Sequence, residues 1–310
     1  MNNFLKKTLL FLFPILIVLI LLEITTRAIP NTYSYKKKYL DKNSSKIKVL
    51  FLGNSHAYYG VNPKLIKTSS FNAAYVSQSL NYDYKILYKY KDCWDSLQYV
   101  FIPIDYFALY NRLEYGSESY RTKNYVNYFQ FPTNDLFINN LELLNGSVSQ
   151  KFSRFFRVFS KRKKSGFNDI SCNELGWGGW TKTNVDLNVS GKLAALRQKL
   201  NSNGFININT QELKNIILFL KEREIKLVLY TLPACKGYIE SFDSNQFEII
   251  RNIGLNLTKK NSNVKYFDFL SDPSFSEIDF HDGDHLSIEG ARKFSLKIDS
   301  VLRVLPSLTK

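Results

Sequence analysis

Ser55 stands in Leu52-Gly-Asn-Ser-His56, and a serine hydroxyl becomes a nucleophile when a neighbouring base takes its proton. The far end of the chain offers such a base, because Phe280-His-Asp-Gly-Asp-His-Leu-Ser287 sets Asp282 shortly before His285 in a tight, glycine-containing segment. At that spacing the carboxylate can accept from one imidazole nitrogen while the other faces a hydroxyl, the division of roles in a Ser-His-Asp triad. Taken alone, Ser55 reads more readily as the N-cap of a following helix than as a nucleophile. His281, Asp282, Asp284 and His285 could instead supply metal ligands, but no further cluster of ligands occurs elsewhere, so no metal and no cofactor is expected. His56, Trp177 and Trp180 are candidates for substrate contact, the tryptophans because an aromatic face complements the apolar side of a sugar ring. Backbone donation by His56 and simple packing of the Gly176-Trp-Gly-Gly-Trp180 turn are the competing uses of the same residues.

These residues can meet only if the intervening chain forms a particular scaffold. Residues 47–52 (IKVLFL) form a short β-branched apolar run of the kind buried in a parallel sheet, and it stops at Gly53. Residues 99–104, 226–231 and 264–269 repeat the pattern. Helical periodicity covers 77–90, 210–222 with Thr210 as its N-cap, and 288–302. Strands alternating with helices predict a doubly wound α/β sheet, in which chemistry gathers at the carboxyl ends of the strands. Residues 111–205 interrupt the alternation with aromatics and a basic stretch, Lys161–Lys164. They read as an insertion or cap, and the basic stretch as a solvated loop or a contact for anionic polymer or lipid.

The N-terminus carries an uncharged run from Thr8 to Leu22 flanked by Lys6, Lys7 and Arg27, near the lower limit for crossing a bilayer, where about 20 residues are usual. Residues 1–27 are read as an uncleaved single-pass anchor or a signal, 28–46 as a linker, and 47–310 as the α/β domain. The charge balance around the run leaves the orientation open. Across 310 residues the formal net charge is +15, but the excess is scattered lysine and supports no nucleic-acid partner. Three well-separated cysteines exclude a disulfide framework and a C-x-x-C zinc site.

Gly53-Asn54-Ser55 after the first strand and Asp282-Gly-Asp-His285 near the end together resemble the SGNH/GDSL hydrolase superfamily. Within it the chain looks most like the membrane-anchored or exported branch linked to acylation of cell-surface polysaccharides. The resemblance implies a flavodoxin-like three-layer sandwich with a mostly parallel sheet behind one transmembrane helix. It also implies Ser55 as nucleophile, His285 as general base and Asp282 as its orienting partner. The backbone N–H groups of Ser55 and Ser77 would form the oxyanion hole, with Ser77 where the family has glycine. The family's oxyanion asparagine has no equivalent, since Ile104 is followed by Asp105, and a carboxylate there would repel a developing oxyanion unless protonated or turned away. The function implied is an O-acetyltransferase or esterase of an envelope or exported polysaccharide. Its partners would be an acyl donor, a polysaccharide acceptor, membrane lipid and a membrane acyltransferase, with the main domain outside the cytoplasm. The alternative is a catalytically weak, membrane-tethered polysaccharide-binding or assembly protein.

Overall fold

The computed structural model describes residues 2–132, 137–144, 169–199 and 204–305. The Lys161–Lys164 stretch lies outside them. The chain divides into two units, Met1–Lys38 with Ser117–Ser171, and Tyr39–Gly116 with Cys172–Lys310. Each is built differently. The expected 111–205 insertion is therefore split, because Ser117–Ser171 cluster with the N-terminal residues while Cys172 onward belongs to the sheet-bearing unit.

The first unit is dominated by α1 (Asn2–Arg27), whose apolar side chains are exposed on all sides, among them Leu9, Phe11, Leu16 and Leu21. A 25-residue stretch of it, Asn3–Arg27, is long and apolar enough to cross a membrane, with a mean hydropathy of 2.7 in its central window. At its lower end Glu23 accepts the backbone N–H groups of Glu142 and Leu143 at 2.9 and 3.0 Å. The buried Lys123–Glu142 ion pair, 2.8 Å, lies beside that junction and joins it to α5 (Thr122–Phe129). Residues 28–46 are not an open linker. They contain α2 (Thr32–Asn43) and a 3-10 turn at Ser44–Lys46, and Tyr33, Lys36 and Leu40 are buried along one side of α2 at helical spacing.

The second unit holds one five-stranded parallel sheet in the order β2-β1-β3-β4-β5, where β1 is Val49–Phe51, β2 Ser70–Asn72, β3 Tyr99–Pro103, β4 Lys226–Thr231 and β5 Val264–Asp268. Strand β2 is additional to the four expected from sequence. The order reverses between β1 and β3, the crevice where α/β folds place ligands.

Both faces of the sheet are covered, which explains the continuous apolar runs. Val49, Phe51, Tyr99, Phe101, Val228 and Tyr230 point to one side and pack against α6 (Leu187–Gln198) and, later in the chain than α8 (Lys236–Ile239) and α9 (Ser244–Lys260), α10 (Ile288–Val304) through Ala194, Ala195, Phe294 and Ile298. The alternate residues Leu50, Val100, Leu227 and Leu229 are fully buried towards the other. There α4 (Leu80–Lys89) packs on α7 (Ile206–Lys221), with Tyr84 edge-on to Phe219 at 6.3 Å. Helix α7 begins a turn earlier than expected, so Thr210 lies inside it and not at its cap. Burying each large side chain contributes about 1.5–3 kcal/mol, so the tilted and edge-on contacts among the Phe51, Phe101, Tyr230 and Phe294 rings hold β1, β3, β4 and α10 in fixed relation.

Candidate active site

The turn after β1 is shaped by Gly53, whose φ of +107° is a conformation that side chains other than glycine rarely adopt. A Cβ there would also lie 2.4 Å from Cδ of Pro103. Its N–H donates to the buried Asp83 carboxylate at 2.8 Å, while burial pushes Asp83 up to about 7 against the pull of Gln78 and of that N–H. Gly53→Ala is accordingly expected to cost about 1–3 kcal/mol, read as a lowered midpoint in thermal unfolding. An unchanged midpoint would mean that the turn is not constrained as described.

Asn54 caps α3 (Ser55–Gly60) by accepting the His56 N–H at 2.9 Å. The cap fixes Ser55 at the first helical position. From Val49 to Pro63 every residue is buried except Ser55, which is partly exposed. At the other end of the chain a bridge between Phe280 and Leu286 closes the 281–285 segment, and His281 N–H donates to the His285 carbonyl at 2.9 Å. Ser287 then caps α10 through the Gly290 N–H.

These two turns bring the expected residues together. His285 Nε2 lies 2.9 Å from Ser55 Oγ, and Nδ1 lies 3.0 and 3.1 Å from the two oxygens of Asp282. Asp282 Oδ1 also accepts the N–H groups of Asp284 and His285, which locks its rotamer. Asp284 also brings its Oδ1 to 3.3 Å from the same His285 nitrogen. Burial opposes a charge on His285, but Asp284 and Asp282 outweigh it and push the imidazole up to about 9.

Asp105 is not a bare carboxylate in the oxyanion region. Its Oδ2 accepts from Asn54 Nδ2 at 2.9 Å and lies 3.1 Å from His56 Nδ1. His56 is thus committed to buried acids and is 5% exposed, which removes it from direct substrate contact. Ser77 adopts φ +59° and lines, with Gly53, Asn54 and Phe107, a small cleft beside the nucleophile turn. That left-handed backbone is the conformation for which glycine is the usual residue.

The tryptophans are placed differently from the sugar-stacking expectation. Tyr59 stacks on Trp180 with centroids 3.7 Å apart and His281 stacks on it at 4.4 Å. Two near-parallel rings so close must lie on opposite faces, so only the indole edge is left, and it meets His285 at 5.3 Å. Trp177 is half-buried and its Nε1 donates to the Tyr59 carbonyl at 2.6 Å. Both residues brace α3 against the 172–180 turn, and Tyr59 is the wall residue that the sequence did not single out. The i+4 spacing of Ser55 and Tyr59 on a helix was its available signal.

Among the described residues His56, Asp284 and His285 have ligand atoms within 4.8 Å of one another. His285 is engaged there with Ser55 and Asp282, and His56 with Asp105, so the donors are already partnered by protein.

No family profile matches the sequence, and no curated protein does. Among solved structures, one from Streptococcus pneumoniae, provisionally named a platelet activating factor, aligns at 13% identity and a TM-score of 0.41 over 87% of this chain and 91% of its own. A provisionally named acylhydrolase from Bacteroides fragilis aligns at 13% identity and 0.38, covering 87% of this chain and 96% of its own. A GDSL-like lipase from Bacteroides thetaiotaomicron aligns at 12% identity and 0.38, covering 88% and 100%.

Proposed function

We propose that the protein is a serine-dependent acyl-ester enzyme in which Ser55 attacks an acyl carbonyl, His285 takes the hydroxyl proton and Asp282 holds the imidazole in register. The observation that carries the reading is the unbroken line from Ser55 Oγ through His285 to Asp282, each step 3.1 Å or shorter. The attack forms a bond from Oγ to the acyl carbon, and the proton passes through His285 Nε2 to the departing alkoxide. Water or a sugar hydroxyl then accepts the acyl group by the reverse route. Ser55 N–H, at the first turn of α3, and Ser77 N–H are the proposed oxyanion donors. Pairing of Asp105 with His56 and Asn54 takes the repulsive charge out of that region.

The acyl donor and acceptor we propose are those of an envelope or exported polysaccharide. The support is the resemblance of the Gly53-Asn54-Ser55 and Asp282–His285 blocks to membrane-anchored acylation proteins, together with a helix able to span a membrane. The test is a fluorophosphonate probe applied to the full-length protein, followed by mass analysis of the peptide holding Ser55. The expected result is one adduct on Ser55, lost in Ser55→Ala. A folded wild type that takes no adduct sinks the reading.

Fractionation tests the location separately. The full-length chain is expected in the membrane pellet, resistant to carbonate and released by detergent, because α1 leaves 15 large apolar side chains exposed. Recovery in the soluble fraction would refute an anchor.

A further inference from the structure

Two carboxylates converge on His285. Asp282 closes on Nδ1 at 3.0 and 3.1 Å, and Asp284 Oδ1 stands 3.3 Å from the same nitrogen. An opposite charge within a few ångströms favours the protonated imidazole, and two of them favour it strongly. A protonated imidazole cannot take a serine proton. The arrangement therefore calls for a counter-charge.

His56 stands where one is needed. Its Nδ1 is 3.1 Å from Asp105 Oδ2, its Nε2 is 3.7 Å from Asp284 Oδ2, and that Nε2 is buried without a hydrogen-bond partner. The ring lies edge-on to His285 with centroids 5.2 Å apart, and edge-on to Phe107. The other described side chains in contact with the two imidazoles and these acids are neutral. Gln198 of α6 donates to Asp284 Oδ2 at 2.8 Å, Asn54 donates to Asp105, and Tyr59 and Trp180 present ring edges to His285. Tyr238 and Cys235, on the far side of Asp284, are pushed up by burial and stay protonated.

We propose that His56 is a positioning residue: a buried imidazolium that bridges Asp105 and Asp284 and, by answering the charge of Asp284, leaves Asp282 as the carboxylate that serves His285. The inference rests on the reading of Ser55 and His285 as nucleophile and base. Burial works against a charge on His56, yet Asp105 and Asp284 push it up to about 10, and its positive charge in turn lowers His285. Asp284 is held well below the usual carboxylate range by both imidazoles, against the cost of its burial. Two anions buried with a cation between them cost less than the same three charges buried unpaired.

The test exploits the presence of only 3 histidines. Full-length protein carrying 13C-labelled histidine, held in detergent, is titrated by NMR, with His281→Gln identifying one resonance and His285→Gln a second. Asp284→Asn is expected to make His285 titrate about one pH unit lower or more, and His56→Gln about one unit higher. The acid limb of ester hydrolysis should move with each, which a purely structural role for His56 would not produce. A His285 titration unmoved in either variant, or moved the opposite way, overturns the proposal. If His56→Gln does not fold, the third histidine resonance decides: His56 is expected to stay protonated well above pH 7 in the wild type and to titrate lower in Asp284→Asn, and a His56 that is neutral at pH 7 overturns the proposal. Titrations that move as stated in a protein whose Ser55 takes no probe would uphold the charge arrangement and remove the enzymatic reading instead.

Discussion

Ser55→Ala is expected to lower the rate of hydrolysis of an aryl acetate by about a thousandfold to a millionfold while leaving thermal unfolding within about 0.5 kcal/mol of the wild type. The first half follows from geometry, since no other described hydroxyl lies on His285 Nε2. The second follows from the half-exposed position of Ser55 and from its cap being made by Asn54 and not by itself. Initial rates and a melting curve on the same preparation check both. Residual activity within tenfold of the wild type would mean that another group attacks.

A second large effect concerns pH. With His285 pushed up to about 9, only about one molecule in a hundred holds it neutral at pH 7. Because the neutral form is the base, kcat/KM is expected to rise about tenfold per pH unit from 6 to 8 and to level off around 9, a gain of roughly a hundredfold between pH 7 and the plateau. The sign is fixed: carboxylates raise the imidazole's affinity for protons, so activity is lost on the acid side. Rates measured against buffer-only hydrolysis decide, and a profile flat above pH 6 would refute neutral His285 as the base.

The parts of the fold that were legible in the sequence are those where one element carries its own signal. The apolar runs at 47–52, 99–104 and 226–231 correspond to β1, β3 and β4 because the sheet faces are covered there, while 264–269 corresponds to the edge strand β5, where Val264 is buried and Lys265 and Asp268 are exposed. Strand β2 escaped because Ser70-Phe-Asn72 is three residues long with one apolar side chain, and its pairing with β1 is set by the neighbour. Helix α2 read as a linker because its buried side includes Lys36 and Tyr33 among exposed lysines. At the site, Ser55, Asp282 and His285 stood in recognisable short motifs. The arrangement of His56, Asp105 and Asp284 did not, since its members come from three separate segments and only folding places their charges together. Trp180 suggested a sugar platform by residue type alone, and the rings of Tyr59 and His281 on its faces were invisible from sequence.

The contact between Ser55 and His285 spans 230 positions of the chain. At a synthesis rate of roughly 5–20 residues per second, the nucleophile's turn exists for about ten to fifty seconds before its base has been made. During that interval the serine is an ordinary alcohol. On the proposed mechanism reactivity requires the 281–285 loop to stand against the turn that follows β1, so it would be a property of the finished molecule and of no fragment. On that mechanism a chain that stalls before residue 281 would carry the serine without its base and be inert.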